Sequence, residues 1–147
     1  MKDSADDAYP GAAAAADEVR RLADEYREAF LALRATCRKG HRVSYLPARF
    51  CALHAIELYL SSFLRHQGVP AKEVRGKNHD LSVLAAEAQA KGLALTGKRM
   101  NCLARVSAHR EYLLYRYEPS APPTLEQINS IEKTLEDIAS AVHDAVK

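Results

Sequence analysis

From Pro47 to Gly68 the chain runs without a helix breaker, and it is apolar almost all the way round: Phe50, Cys51, Ala52, Leu53, Ala55, Ile56, Leu58, Tyr59, Leu60, Phe63 and Leu64. Pro47 suits a first helical turn, Arg65 and His66 suit a last one, and Pro70 follows just past the end. A helix with that profile has no face to give to water, so other helices must surround it. His54, Glu57, Ser61 and Ser62 interrupt it too often for a membrane span. This one segment predicts a helical bundle built around a central helix.

The polar exceptions lie on one line. His54, Glu57, Ser61 and Arg65 stand at i, i+3, i+7 and i+11, a narrow stripe along the helix. A carboxylate in such a helix is costly without a partner, so Glu57 is either a paired structural carboxylate or a group of a site.

The remaining helices follow from periodicity and punctuation. Residues 1–15 read as a flexible Ala-rich leader, and 16–147 as a single domain. Val19, Leu22, Tyr26, Phe30 and Leu33 predict a helix over about 14–38. A short helix starts at His79 or Asp80, either of which suits a capping position, and stops at Lys91-Gly92. A fourth is expected from about Gly97 to Tyr117 and a fifth over about 125–146. The last is opened by a capping box at 124–127 and carries a seam of Ile128, Ile131, Leu135, Ile138 and Val142. No segment alternates as a strand would. The fold class is all-α, an up-and-down bundle of four main helices with one short insert.

Charge is segregated along the chain. The net +2 is the balance of −4 over residues 1–33, +10 over 34–110 and −4 over 111–147. A concentrated basic zone attracts phosphate; the competing account is that acidic outer helices neutralise it within the fold or across a dimer. Asp3, Asp6 and Asp7 stand where a signal peptide wants positive charge, and Cys37, Cys51 and Cys102 are odd in number without CxxC spacing. Reduced thiols in a cytoplasmic protein are expected, with no metal site and no cofactor.

The order of three elements carries a resemblance. A helix reading ALHAIELYLSSFLRHQG, a short basic loop, and then NHDLSVL resemble the HEPN family, small all-helical nucleotide-binding domains. The likeness covers about residues 46–119, and Arg116-Tyr117 resembles the Arg-Tyr that often closes the family pattern. Family members that cleave RNA do so without metal, through an arginine and a histidine a few residues apart, and typically as homodimers. Some act as toxins beside a nucleotidyltransferase-like partner protein.

On that resemblance Arg105 and His109 are the candidate catalytic pair, although only three residues separate them, fewer than in the family pattern. Arg49/His54 and Arg34/His41 approach the pattern less well. The first pair lies about 140° apart round the central helix, and the second spans a Gly-containing loop. Arg105, His109, Tyr112 and Arg116 stand at i, i+4, i+7 and i+11 of the fourth helix and form one continuous polar-aromatic stripe, able to hold phosphate, move a proton and stack on a base. The bland reading is a solvated face. Lys72, Arg75 and Lys77 add a basic loop that suits phosphate. Arg110 falls by angle among Leu103 and Leu114, where an arginine seeks a carboxylate; Glu57 is the expected partner. His79 and Asp80 are read as capping groups of a structural polar core with Glu57 and Arg110, with acid/base work by His79 as the alternative.

The residues together predict a homodimeric binding module with affinity for RNA or a nucleotide and no membrane association. A metal-independent endoribonuclease and a purely structural partner-binding bundle are the alternatives.

Overall fold

A computed structural model describes residues 9–77, 79–120 and 125–147, and among these it is all-helical. The elements are α1 (Ala16–Arg34), a 3₁₀ turn (Arg42–Tyr45), α2 (Leu46–His66), α3 (Ala71–Arg75), α4 (Leu81–Ala90), α5 (Gly97–Ala108), α6 (Glu111–Tyr117) and α7 (Ile128–Ala145). The all-α bundle expected from the sequence is the one found.

The α2 helix is its axis. It packs against α1 most extensively, then α7, α4 and α6, while α5 lies against α4, α6 and α7. Leu53, Ile56, Tyr59, Leu60, Phe63 and Leu64 are almost wholly buried on every side of it. Burying side chains of this size stabilises by about 1.5–3 kcal/mol each, so an exposed face on α2 would cost the fold its core. The helix stops where Gly68 turns left-handed (φ +89°) and the Val69 N–H reaches back to the Leu64 carbonyl at 3.0 Å. Val69 is buried as it does so, the apolar contact that accompanies this kind of stop.

Four boundaries depart from the sequence reading. The first helix ends at Arg34 rather than about residue 38. Residues 71–75, expected as loop, make the single-turn α3. The last helix begins at Ile128 with Gln127 as N-cap, so no capping box opens it from 124–127. Thr124 itself lies outside the described residues, and Glu126 is spent elsewhere: its side chain meets Arg105 and its N–H meets Glu111.

The fourth departure decides the site. The helix expected to run unbroken to Tyr117 is two helices, α5 and α6, parted at His109 and Arg110. Arg110 is left-handed (φ +52°, ψ +39°), and its carbonyl starts α6 by accepting the N–H groups of Leu113 and Leu114. No glycine or proline marks the break. The αL region costs a non-glycine residue about 1–2 kcal/mol, so the surroundings must hold it there.

The leader is partly placed. Residues 1–8 lie outside the described part, so the expectation of flexibility is not addressed there. Beyond them, Arg65 Nη1 donates to the carbonyls of Gly11 (2.8 Å) and Ala14 (3.0 Å), and the Arg75 guanidinium sits 4.4 Å from the centre of the Tyr9 ring.

Candidate functional site

The stripe on α2 resolves into separate partners. Ser61 is buried and Arg65 is taken by the leader, but His54 and Glu57 both face α6 and the turn before α4. Glu57 does not meet Arg110. Its carboxylate holds His79 Nδ1, with oxygens at 2.7 and 2.9 Å. Arg110 is exposed at the start of α6, because the break before it turns its side chain away from the apolar stripe that a continuous helix would have given. The expected Glu57–Arg110 core pair is thus replaced by Glu57–His79, and Arg110 does not belong to a polar core.

His79 is not a cap either. Asp80 is the N-cap of α4, accepting from the backbone N–H of Ser82 (3.1 Å) and of Val83 (3.3 Å). Burial works against the charge of Asp80. Hydrogen bonds from Ser82, Val83 and Ser107 outweigh it and hold the carboxyl below the usual range. That division of labour releases His79, which is exposed with a left-handed backbone (φ +62°). The core assignment of His79 therefore gives way to a place at the rim of a cavity.

That cavity has a volume of about 430 Å³ and opens between the turn before α4 and the junction of α5 with α6. Lys77, Arg110 and Arg116 bring cations to its wall, and His79, Asp80, Ser107 and Tyr112 bring groups that hydrogen-bond or titrate. Leu81, Val106 and Leu113 make its apolar part. Among the described residues the two non-glycine positions with positive φ are His79 and Arg110, and both line this cavity. Strain of this kind collects where a side chain must be aimed.

Aromatic residues underlie the wall. The Tyr112 hydroxyl donates to His54 Nδ1, and the His54 ring lies flat against Phe50 (centres 5.8 Å apart, planes 6° apart) and edge-on to Tyr26 (4.4 Å). Burial pushes the Tyr112 hydroxyl well above the usual tyrosine range, and the nearby Glu57 charge adds to this, so it stays a donor. Burial lowers the His54 pKa, helped by the charges of His79 and Arg116, which keeps its ring neutral as an acceptor. Burial also raises the Glu57 pKa, with the His79 hydrogen bond working in the opposite direction. The Arg116 guanidinium rests 5.1 Å from the Tyr112 ring centre and 5.8 Å from that of Phe50.

With Nδ1 engaged by a carboxylate, His79 has its other ring nitrogen for the cavity. A carboxylate that holds one ring nitrogen fixes the orientation of the ring. Beside it stand the cations of Lys77, Arg110 and Arg116, Lys77 being held at 3.1 Å from Glu87. The arrangement can hold an oxyanion and offer one oriented proton-transfer group.

The residues singled out by sequence are therefore divided. Tyr112, Arg116, Lys77, His79, Asp80 and Arg110 converge on the cavity. Arg105 does not join them: its Nε lies 2.7 Å from Glu126, tying α5 to the segment before α7. His109 is the exposed C-cap of α5, and the break that follows it takes Tyr112 and Arg116 out of line with Arg105. Lys72 is exposed on α3 and Arg75 covers Tyr9. Phe50 reads in the sequence as an ordinary apolar member of a buried helix, and His54 as part of the polar stripe with Glu57 but without its partner Tyr112.

Among the described residues no group of histidine, cysteine and acidic side chains could hold a metal ion, and no helix is long and apolar enough to cross a membrane. Comparisons with protein-family models, with curated proteins and with solved structures each give no match.

Proposed function

We propose that this domain binds the phosphate groups of RNA or of a nucleotide in the cavity beside α6. The observation that carries the proposal is the convergence of Lys77, Arg110 and Arg116 on one concave wall with His79 held by Glu57. Phosphate suits cations presented this way: each contact replaces condensed counterions, and arginine offers paired donors. The HEPN resemblance points the same way and adds the expectations of a homodimer, a cytoplasmic setting and, in a toxin pair, a nucleotidyltransferase-like partner.

The test is salt-dependent binding of a short single-stranded RNA. Affinity should fall steeply as salt rises, and Arg110→Ala and Arg116→Ala should each lower the slope of log affinity against log salt by about 0.7–1. A protein that binds no RNA, nucleotide or pyrophosphate at low salt leaves the structural partner-binding reading in its place. Sedimentation that gives a monomer at tens of micromolar would remove the homodimer.

The second reading is a metal-independent endoribonuclease, and the Glu57–His79 contact favours it. His79 would take the proton of a ribose 2′-hydroxyl as that oxygen attacks the adjacent phosphorus. The P–O5′ bond breaks, a 2′,3′-cyclic phosphate forms, the leaving 5′-oxygen takes up a proton from water, and His79 returns its proton to solvent. On this reading the acid/base group is His79 rather than His109. Single-stranded RNA incubated in EDTA should be cut by wild type and by His109→Ala, and left intact by His79→Ala, with binding nearly unchanged in all three.

A further inference from the structure

Tyr117 is 74% exposed, the most open large apolar side chain among the described residues. It does not stand alone. Its ring centre is 5.5 Å from the Arg116 guanidinium, which is itself backed by the rings of Phe50 and Tyr112. Leu113, one turn earlier on α6, is exposed too and lines the cavity. One short helix thus gives the wall of a basic cavity a flat cation, Arg116, and an aliphatic side chain, Leu113, with the open Tyr117 ring beside that cation.

An isolated exposed aromatic carries no message, since much of any protein surface is apolar. Here its neighbours give it one. A ligand that were merely an anion, such as inorganic phosphate or sulfate, would gain nothing from Tyr117 and Leu113. A ligand that were merely apolar would gain nothing from Lys77, Arg110 and Arg116. A nucleotide unit combines the two requirements, a flat π-face joined through a sugar to a phosphate.

We infer that the Tyr117 ring and the Arg116 guanidinium form a stacking platform for an unpaired nucleobase whose own or adjacent phosphate enters the cavity. The inference rests on the phosphate-binding reading above and specifies its ligand: a nucleotide unit with its base free, either a mononucleotide or a position in a single strand. The stacking role passes from Tyr112, which is only 8% exposed and committed to His54, to Tyr117. Rings Phe50 and Tyr112 act as positioning residues beneath Arg116, and the His54 contact keeps Tyr112 in place. Arginine sandwiched over aromatic rings keeps its plane oriented, and base stacking on such a surface tolerates any base. Paired bases have their faces covered by neighbours, so a duplex offers the cavity only its backbone.

The experiment compares two strands of equal charge, one with its bases and one without, and adds ligands that cover the base or shorten the strand. A short oligoribonucleotide carrying 2-aminopurine, the same strand with abasic positions, its duplex, and 2-aminopurine riboside monophosphate are titrated into the 147-residue chain, with pyrophosphate as competitor. Wild type should quench the 2-aminopurine and bind the base-containing strand at least about fivefold tighter than the abasic one or the duplex. Tyr117→Ala should erase that preference and the quench while leaving the salt slope and pyrophosphate competition unchanged; Tyr117→Phe should keep both. Quenching of the monophosphate as deep as that of the strand assigns the site to free nucleotides, and quenching of the strand alone assigns it to RNA. Equal affinity for abasic and base-containing strands overturns the inference while sparing the phosphate site. Failure of every ligand, pyrophosphate included, overturns both. A fall in particle mass on Tyr117→Ala, without change in base preference, overturns it in favour of a contact between copies of the chain.

Discussion

Two carboxylates lie at α6 in this molecule, Glu111 on the helix and Glu57 across from it on α2, and they live differently. Glu111 is wholly buried: the Tyr115 hydroxyl donates to it at 2.5 Å, the Glu126 N–H reaches both its oxygens at 3.0 and 3.1 Å, and Arg49 stands 4.0 Å away. Arg49 in turn donates to the Glu126 carbonyl and the Tyr115 hydroxyl. Glu57 is half-buried and is held by His79, a residue that is itself exposed and backbone-strained. Burial raises the pKa of both carboxyls. The difference lies in what surrounds them. The Glu111 network closes on itself and ties α2, α6 and the segment before α7 together; the Glu57 network ends at a cavity. A closed network fixes a fold, and an open one has a group left over for a ligand.

Breaking the closed network should cost most. Glu111→Ala strands the Tyr115 hydroxyl, the Glu126 N–H and much of Arg49, and should destabilise by about 3–5 kcal/mol in urea denaturation. A loss below about 1 kcal/mol would mean that the cluster is no clamp. Glu57→Gln should by contrast cost about 1 kcal/mol or less, because the amide keeps an acceptor for His79 and no longer pays for burying a charge. Its signature should be in function: RNA cutting, where present, should drop while the urea midpoint hardly moves.

How much of this was legible in the sequence differs between the two networks. The centrality of α2 followed from an apolar surface all the way round, and the α7 seam from its spacing of three and four. Glu57 stood out as a costly carboxylate, yet its partner did not. The expectation of Arg110 carried the helical phase of Leu103 and Val106 across residue 109, where the helix in fact ends. Nothing in Ala-His-Arg-Glu announces a left-handed residue, because the conformation is imposed by packing around it rather than by local preference. The Glu57–His79 contact also depends on a left-handed turn at His79, one residue before a cap whose own signal, Asp80, was read correctly in place but shared between two residues. Glu111 and Arg49 were missed as a pair because Glu111 read as one more charge inside the expected fourth helix and Arg49 as one near the start of the central helix. Long-range partners are set by how helices cross, which periodicity does not encode.

Acid should strain the open side more than the closed one as pH falls through the histidine range. Burial lowers the folded pKa of His54, so between its unfolded value near 6.5 and that lower folded value the unfolded chain binds more protons. Stability therefore rises with pH across this window and is lost on acidification, by at most about 1.4 kcal/mol per pH unit. The raised carboxyls of Glu57 and Glu111 act with the opposite sign. Their folded forms hold protons more tightly, so their contribution grows as pH falls toward the unfolded carboxyl range. His54→Asn, whose amide oxygen can replace Nδ1 as acceptor for the Tyr112 hydroxyl, should flatten the loss between pH 7.5 and 5.5. An unchanged slope in that variant would assign the acid loss to another group.

The smallest effect should be a gain. Arg110 holds a left-handed backbone (φ +52°) without being glycine, at an exposed position on the cavity wall. Glycine adopts that conformation at no steric cost, but it loses more backbone freedom on folding, so the two effects partly cancel. Arg110→Gly should on balance stabilise by up to about 1 kcal/mol, read as a higher urea midpoint, while weakening phosphate binding and lowering its salt slope. Arg110→Ala separates the two consequences: it keeps the strain and loses the cation, so binding should fall as in the glycine variant without the gain in stability. A glycine variant that is both more stable and equally good at binding would show that the break between α5 and α6 serves to end a helix and that Arg110 is a bystander in the cavity. A gain in stability joined to a loss of binding is the result that ties the strained backbone to the open network, because it shows a destabilising residue kept where its charge is used.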